Sequence, residues 1–233
     1  MIRTHPYIAR EGWLFIAALA ASGFMANFYF GWLAGLPFWL LCIALAYLFR
    51  DPQRVIPPSP LGVVSPADGE VVAIEPVPDH YLERDAIMVS IRMSRLGTYT
   101  TRAPIEGKIV QHWHTPASDH GDTGAGALEH YAMWLQTDEN DDVVLQMGVG
   151  TKALKPVCYH HTGERIGQGE RCGLVRFGGH IAVLLPVNSR IEVTVGDTVT
   201  AGSDILATLV HQHVSAIAAS KDRSIDDIPE HKV

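Results

Sequence analysis

Leu174-Val175-Arg176-Phe177-Gly178-Gly179-His180-Ile181-Ala182-Val183-Leu184-Leu185-Pro186 is the run for which the rest of the chain makes sense as scaffold. Branched and aromatic apolar side chains dominate it, which predicts a buried β-strand. Its two adjacent glycines mark a bulge or a close approach of another backbone. On pattern alone Gly178-Gly179 is architecture, a kink in the strand of a β-barrel.

The flanks carry the same signal. Val63 to Val72 reads as strand, tight turn and strand; Ile87–Met93, Val143–Met147 and Leu154–Tyr159 read as further strands, and Thr137–Asp142 as an acidic hairpin turn. The segments Gly163–Gly173 and Val195–Ala207 share a G-x-x-[IV]-x-x-G spacing. That turn-and-strand unit is found in lipoyl- and biotin-carrier-like β-sandwiches. Neither copy holds the lysine a carrier would present, so the repeat is scaffold. The fold class is therefore mainly β, a sandwich or barrel with carrier-like repeats.

Outside this domain the composition changes. No Asp, Glu, Lys or Arg lies between Glu11 and Arg50, and about 20 apolar residues suffice to cross a bilayer. Trp13–Phe30 and Trp32–Phe49 are two candidate spans broken at Gly31, Gly35 and Pro37, a transmembrane helical hairpin. Arg3 and Arg10 before the hairpin and Arg50 and Arg54 after it place both ends in the cytoplasm by the positive-inside rule. The stretch is too long for a signal-peptide core and shows no clear cleavage context. A single tilted span or a helical pair buried in a soluble domain are the alternatives. The prolines beyond Phe49 end the helix, and Arg50 and Arg54 would each gain about 1 kcal/mol beside anionic lipid.

The organisation is thus a membrane anchor over 1–49, a β domain over 50–215 and a polar tail over 216–233. A formal net charge of -7 and the lack of a basic-aromatic stripe exclude a nucleic-acid partner. Cys42, Cys158 and Cys172 form no C-x-x-C pair, which points to reduced thiols. Of the twelve histidines, His112 and His114 would share one face of a strand, yet no third ligand stands at a diagnostic spacing, so no metal site is assigned.

Four motifs resemble the short form of the phosphatidylserine decarboxylase family and occur in its order: Phe49-Arg50-Asp51-Pro52 with Arg54, Ser65-Pro66-Ala67-Asp68-Gly69, Arg102-Ala103-Pro104, and Gly173-Leu174-Val175-Arg176-Phe177-Gly178. The resemblance covers about Arg50 to Leu206. It implies a membrane-bound enzyme of phospholipid metabolism, in the bacterial inner membrane with its soluble domain facing the cytoplasm. In that family the chain cuts itself between a Gly and a Ser. The Ser oxygen attacks the preceding carbonyl, and β-elimination from the ester leaves dehydroalanine, which hydrolyses to a pyruvoyl group, the electron sink for decarboxylation.

The resemblance assigns Gly178-Gly179 to the processing position, with Gly179 where the family has its Ser. It assigns Asp68 to the Asp that assists the activating His. The planar fork of Arg102 suits a phosphate or carboxylate, which makes it the candidate substrate ligand, with a surface or strand-edge Arg as the alternative. The segment Ser94–Gly107 matches the family frame without a gap, but Tyr99 stands at the catalytic His and Gly97 at the Asp two residues before it. Glu129-His130-Tyr131 lies near a further family segment without a firm alignment. Glycine has no hydroxyl for the attack, and a Tyr of pKa about 10 is protonated at neutral pH and a poor base. The expected cofactor is therefore none, since the family's self-generated pyruvoyl should not form. Three roles follow: a decarboxylase homologue that binds membrane phospholipid or a partner without processing, as a homo-oligomer or with an active relative; an active carboxy-lyase using non-standard residues; or a membrane-anchored structural β domain.

Overall fold

The computed structural model describes residues 10–94, 97–115, 130–149, 156–175 and 179–210. Two helices, α1 (Arg10–Phe30) and α2 (Trp32–Leu48), are followed by fourteen strands among the described residues: β1 (Gly62–Val64), β2 (Gly69–Asp79), β3 (Arg84–Met93), β4 (Thr100–Arg102), β5 (Gly107–Thr115), β6 (His130–Gln136), β7 (Asp142–Val149), β8 (Val157–Cys158), β9 (Arg165–Ile166), β10 (Arg171–Leu174), β11 (Gly179–Pro186), β12 (Arg190–Ile191), β13 (Thr198–Val199) and β14 (Ile205–Thr208). The fold is mainly β behind an apolar helix pair.

The helices reverse at Gly31, whose φ of 88° only glycine adopts without strain. They pack through small residues. A Cβ on Gly23 would lie 3.0 Å from Phe38 Cβ, one on Gly35 would lie 3.2 Å from Asn27 Cβ, and Cys42 Sγ is 3.7 Å from the Ile16 carbonyl. The contacts run in opposite senses along the two helices, so the pair is an antiparallel hairpin with backbones drawn close by glycine. Its outer surface is apolar and bare: Leu14, Phe28, Phe30, Trp32 and Leu40 are all exposed. Residues Gly12–Phe30, 19 in number with mean hydropathy 1.5, are long and apolar enough to cross a membrane; α2 has 17 residues.

The strands form an eight-stranded sheet in the order β13-β2-β3-β11-β7-β6-β5-β9 and two three-stranded sheets, β1-β14-β12 and β4-β10-β8. Every pairing is antiparallel. Alternation along the large sheet sends Val71, Ile91, Ile181 and Met147 to one face, where they share a core with Val63 and Leu206 of the first small sheet and Cys172 of the second. Its opposite face carries a smaller cluster, Ala86, Ala132, Val144 and Leu184, partly covered by Tyr81, Leu82 and Trp113.

The stretch read as one strand is two. β10 belongs to the second small sheet and β11 to the large one, so the chain changes sheet between Leu174 and Gly179. A run of buried apolar residues looks the same whether its strand continues or passes from one layer of a sandwich to the next. The expected hairpin over Val63–Val72 also divides, since β1 pairs with β14 whereas β2 pairs with β3 and β13.

An internal repeat organises the domain. Val64 N–H donates to the Pro104 carbonyl (2.8 Å), while Arg102 N–H donates to that of Pro66 (2.9 Å). Ser65 exchanges backbone bonds with Gly202 and Asp204, just as Ala103 does with Gly169 and Glu170; Val71 does so with Gly196 and Asp197, as Ile109 does with Gly163 and Glu164. The units Ser65–Val71 and Ala103–Ile109 thus take equivalent partners in the two G-x-x-[IV]-x-x-G segments. Their four turn glycines, Gly163, Gly169, Gly196 and Gly202, have φ of 94°, 68°, 100° and 72°.

Candidate functional site

Asp68 lies in the bend before β2, where its carboxylate is fully engaged. Oδ2 accepts from Arg54 Nη2 (2.6 Å), Thr98 Oγ1 (2.8 Å) and Thr98 N–H (3.2 Å), and Oδ1 accepts from Ala201 N–H (2.8 Å). Gly97 allows this closeness, because a Cβ there would stand 3.1 Å from both Asp68 Cβ and Ser94 Cβ. Asp68 therefore fastens three segments: the chain leaving the helices, the loop before β4 and the turn after β13.

Tyr99 follows Thr98 and is buried. Burial raises its phenol pKa above the usual value, so the phenol holds its proton more firmly than a free tyrosine. Its carbonyl accepts from Val175 N–H at 2.8 Å. Val175 in turn reaches the opening of β11, its Cγ1 3.0 Å from where a Cβ of Gly179 would be. A continuous path thus runs from Asp68 through Thr98, Tyr99 and Val175 to Gly179, and the three positions singled out in the sequence meet at one end of the domain. Gly178 lies outside the described residues.

The space at position 179 is occupied. A Cβ built on Gly179 would overlap the carbonyl oxygen of Gly148, across the β11–β7 pairing that joins Gly179 to Val149. That obstacle is backbone near the end of the β11–β7 ladder and cannot rotate away as a side-chain tip does, so a Cβ there requires β7 or β11 to shift. A side-chain carbon at residue 179, from which a pyruvoyl would derive, does not fit the uncut backbone of this arrangement.

Arg102, read from the sequence as a substrate ligand, directs its guanidinium into the protein. Nη2 donates to Asp51 Oδ1 (2.8 Å) and to the Pro52 carbonyl (3.2 Å), and Nη1 donates to the Gly169 carbonyl (3.0 Å). Asp51 also accepts from Thr100 Oγ1 (3.1 Å) and lies 3.6 Å from Arg171 Nη1. Asp51, Arg102 and Arg171 are all buried. Sequence reasoning overlooked Asp51, Thr98 and Arg171, and it read Arg54 as a free juxtamembrane charge. The visible signal was that Asp51 and Arg102 both sit in quoted motifs, one acid and one base.

Among the described residues no three His, Cys, Asp or Glu side chains stand close enough together to hold a metal ion. His114 stacks on Tyr131 with centroids 4.3 Å apart, and His160 meets Glu164 Oε2 and the Arg171 carbonyl, each at 3.1 Å. His112 faces inward with no hydrogen-bond partner on its Nε2 among the described residues; burial first, then His161 and His160, lower its pKa. Glu129 and the loop Asp119–Gly126 lie outside the described residues.

The profile of the phosphatidylserine decarboxylase family matches residues 42–207. The chain is 39% identical over 206 residues to the phosphatidylserine decarboxylase proenzyme of Nitrosomonas europaea, covering 87% of this chain and 95% of the relative. It is 41% identical over 210 residues to the proenzyme of Aromatoleum aromaticum, covering 88% and 97%, and 37% identical over 208 residues to that of Burkholderia ambifaria, again covering 88% and 97%. No solved structure matches.

Proposed function

The chain belongs to the phosphatidylserine decarboxylase family, and from that premise we propose that it is a membrane-anchored member which does not process itself and serves phospholipid metabolism as a binding protein. The observation that carries this reading is Gly179: there is no hydroxyl at the family's cutting position and no room for the carbon that would bear one. Two further features support it. Tyr99 is a buried phenol whose raised pKa removes it as a base at neutral pH. Asp68, which in the family assists a His, has its carboxylate committed to Arg54, Thr98 and Ala201.

The hairpin α1–α2 is read as two crossings with the β domain on the cytoplasmic side, on the strength of its apolar outer surface and the flanking arginines. The ligand is membrane phospholipid, with a second copy or an active relative as the protein partner. Arg102 acts within the fold, joining the Asp51 segment to β4, in place of the substrate contact that its planar guanidinium suggested. The repeated turn-and-strand units are read as a carrier-like β-sandwich employed as scaffold, on the strength of their equivalent backbone bonds.

The test is turnover and binding on one preparation. Purified protein mixed with phosphatidylserine vesicles should bind them and release neither carbon dioxide nor phosphatidylethanolamine. Steady turnover that borohydride abolishes would reveal a reducible carbonyl cofactor and overturn the reading.

A further inference from the structure

Residues 50–61, in the connection from α2 to β1, resemble a bracket more than a tether. Arg50 to Leu61 contains Pro52, Pro57, Pro58 and Pro60 and no glycine, a composition that stiffens a linker. The segment is fastened along its length. Asp51 is buried against Arg102, Arg171 and Thr100, the Pro52 carbonyl accepts from Arg102, and Arg54 reaches Asp68. Ile56 lies on Gly169, with its Cγ1 2.8 Å from where a Cβ would be, and Gln168 Nε2 donates to the carbonyls of Ser59 and Gly62. The helix side is equally fixed, because Phe49 is buried against Gly12 and stacks with Phe15 at 6.4 Å.

Most of the domain-side anchors cluster where β3 ends: Ser94 N–H donates to the Asp68 carbonyl, Thr98 N–H reaches the Asp68 carboxylate, and Thr100, Arg102 and Arg171 meet across the β4–β10 pairing. Gln168 holds the last part of the segment from the other side, towards β9, which Arg165 joins to Asp138 of the β6–β7 turn. The opposite end, with the β2–β3 turn at Glu83 and the β6–β7 turn at Glu139, lies one length of β3 away, about 30 Å for a strand of this size. The bracket also exposes groups suited to a bilayer interface. Val55 is 86% exposed and Ile56 41%, and the Arg50 guanidinium lies 3.8 Å above the Tyr47 ring at the end of α2. An arginine held on an aromatic face at the end of an apolar helix is placed to meet a lipid phosphate, while an exposed valine five residues further along the same segment gains by entering the acyl boundary.

We infer that residues 50–61 are a rigid bracket holding the Asp68–Tyr99–Gly179 end of the domain against the phospholipid headgroups, with Arg50 and Val55 as its lipid contacts. This rests on the membrane reading of α1 and α2. It adds a fixed orientation: one end of the domain faces lipid, and the far turns stay in water.

The experiment uses the full chain, with a fluorophore on a bio-orthogonal side chain at Ser94, whose N–H donates to the Asp68 carbonyl at the near end, or at Glu139 in the far turn. The protein is mixed with vesicles of phosphatidylcholine and phosphatidylglycerol that carry an energy acceptor on the headgroup, and vesicle binding is followed separately by flotation. The expected result is flotation of both labelled proteins, with transfer from position 94 at least about threefold that from 139. In Asp51→Asn with Arg54→Gln the contrast should shrink while flotation persists. Equal transfer from the two positions in floated wild-type protein overturns the bracket and leaves the membrane reading standing. Failure to float overturns the membrane reading, and the bracket with it. The wild-type pair decides the matter even if the double variant does not fold.

Discussion

A serine at position 179 would require both a base and a place to sit. The Gly148 carbonyl occupies the place, and burial keeps the Tyr99 phenol protonated. Gly179→Ser should therefore leave the chain uncut and, by forcing β7 away from β11, lower stability by about 1–3 kcal/mol. Chemical denaturation combined with intact mass reads both effects. Efficient cleavage of this single variant would refute the requirement for a His at position 99. The thiols offer a second check: burial pushes Cys172 up to about 12 and raises Cys158 as well. Since the thiolate is the reactive form, neither should be alkylated by iodoacetamide at pH 8 until denaturant is added. Rapid labelling of Cys172 in the folded protein would contradict the packing of β10. At this scale the sequence was informative about chemistry, because a missing hydroxyl and a missing imidazole are properties of residue type. It was silent about Asp51, Arg54 and Thr98, whose importance comes from what lies across from them.

Two ion pairs separate what the elements need from what merely decorates them. Asp51 is buried with Arg102 and Arg171, whereas Arg92 and Glu70 meet at 2.9 Å in solvent, with side chains 58% and 47% exposed. Removing one member of a buried set leaves uncompensated charge, so Asp51→Ala should cost about 3–5 kcal/mol. Removing an exposed partner loses a screened interaction, so Arg92→Ala should cost at most about 1 kcal/mol. Equal costs in urea titrations of the two variants would refute this division. The strands were legible where polarity alternated or turns intervened, as at β3, β7 and the Thr137–Asp142 turn. They were misread at Leu174–Pro186, where apolar residues on both sides of Arg176–His180 hide the passage between sheets. The G-x-x-[IV]-x-x-G copies were visible; their partners, Ser65-Pro66-Ala67-Asp68-Gly69 and Ala103-Pro104-Ile105-Glu106-Gly107, were quoted separately although they share an x-Pro-x-acid-Gly frame.

For the whole molecule, a hairpin with no charge from Gly12 to Phe49 is joined to an acidic chain of formal net charge -7. Adsorption of such a protein to anionic vesicles cannot depend on its net charge, and insertion should resist salt. Flotation with phosphatidylglycerol-containing vesicles should be unchanged between low salt and about 1 M salt, where the screening length is about 3 Å. Release by salt would mean surface adsorption and remove the support for spanning helices. The central claim, that the chain keeps the family scaffold without cutting itself, is tested most directly by the intact mass of the purified protein. A single species at the mass of the uncut 233-residue chain is the expected result; two fragments divided between Gly178 and Gly179, the second with a blocked amino terminus, would contradict it.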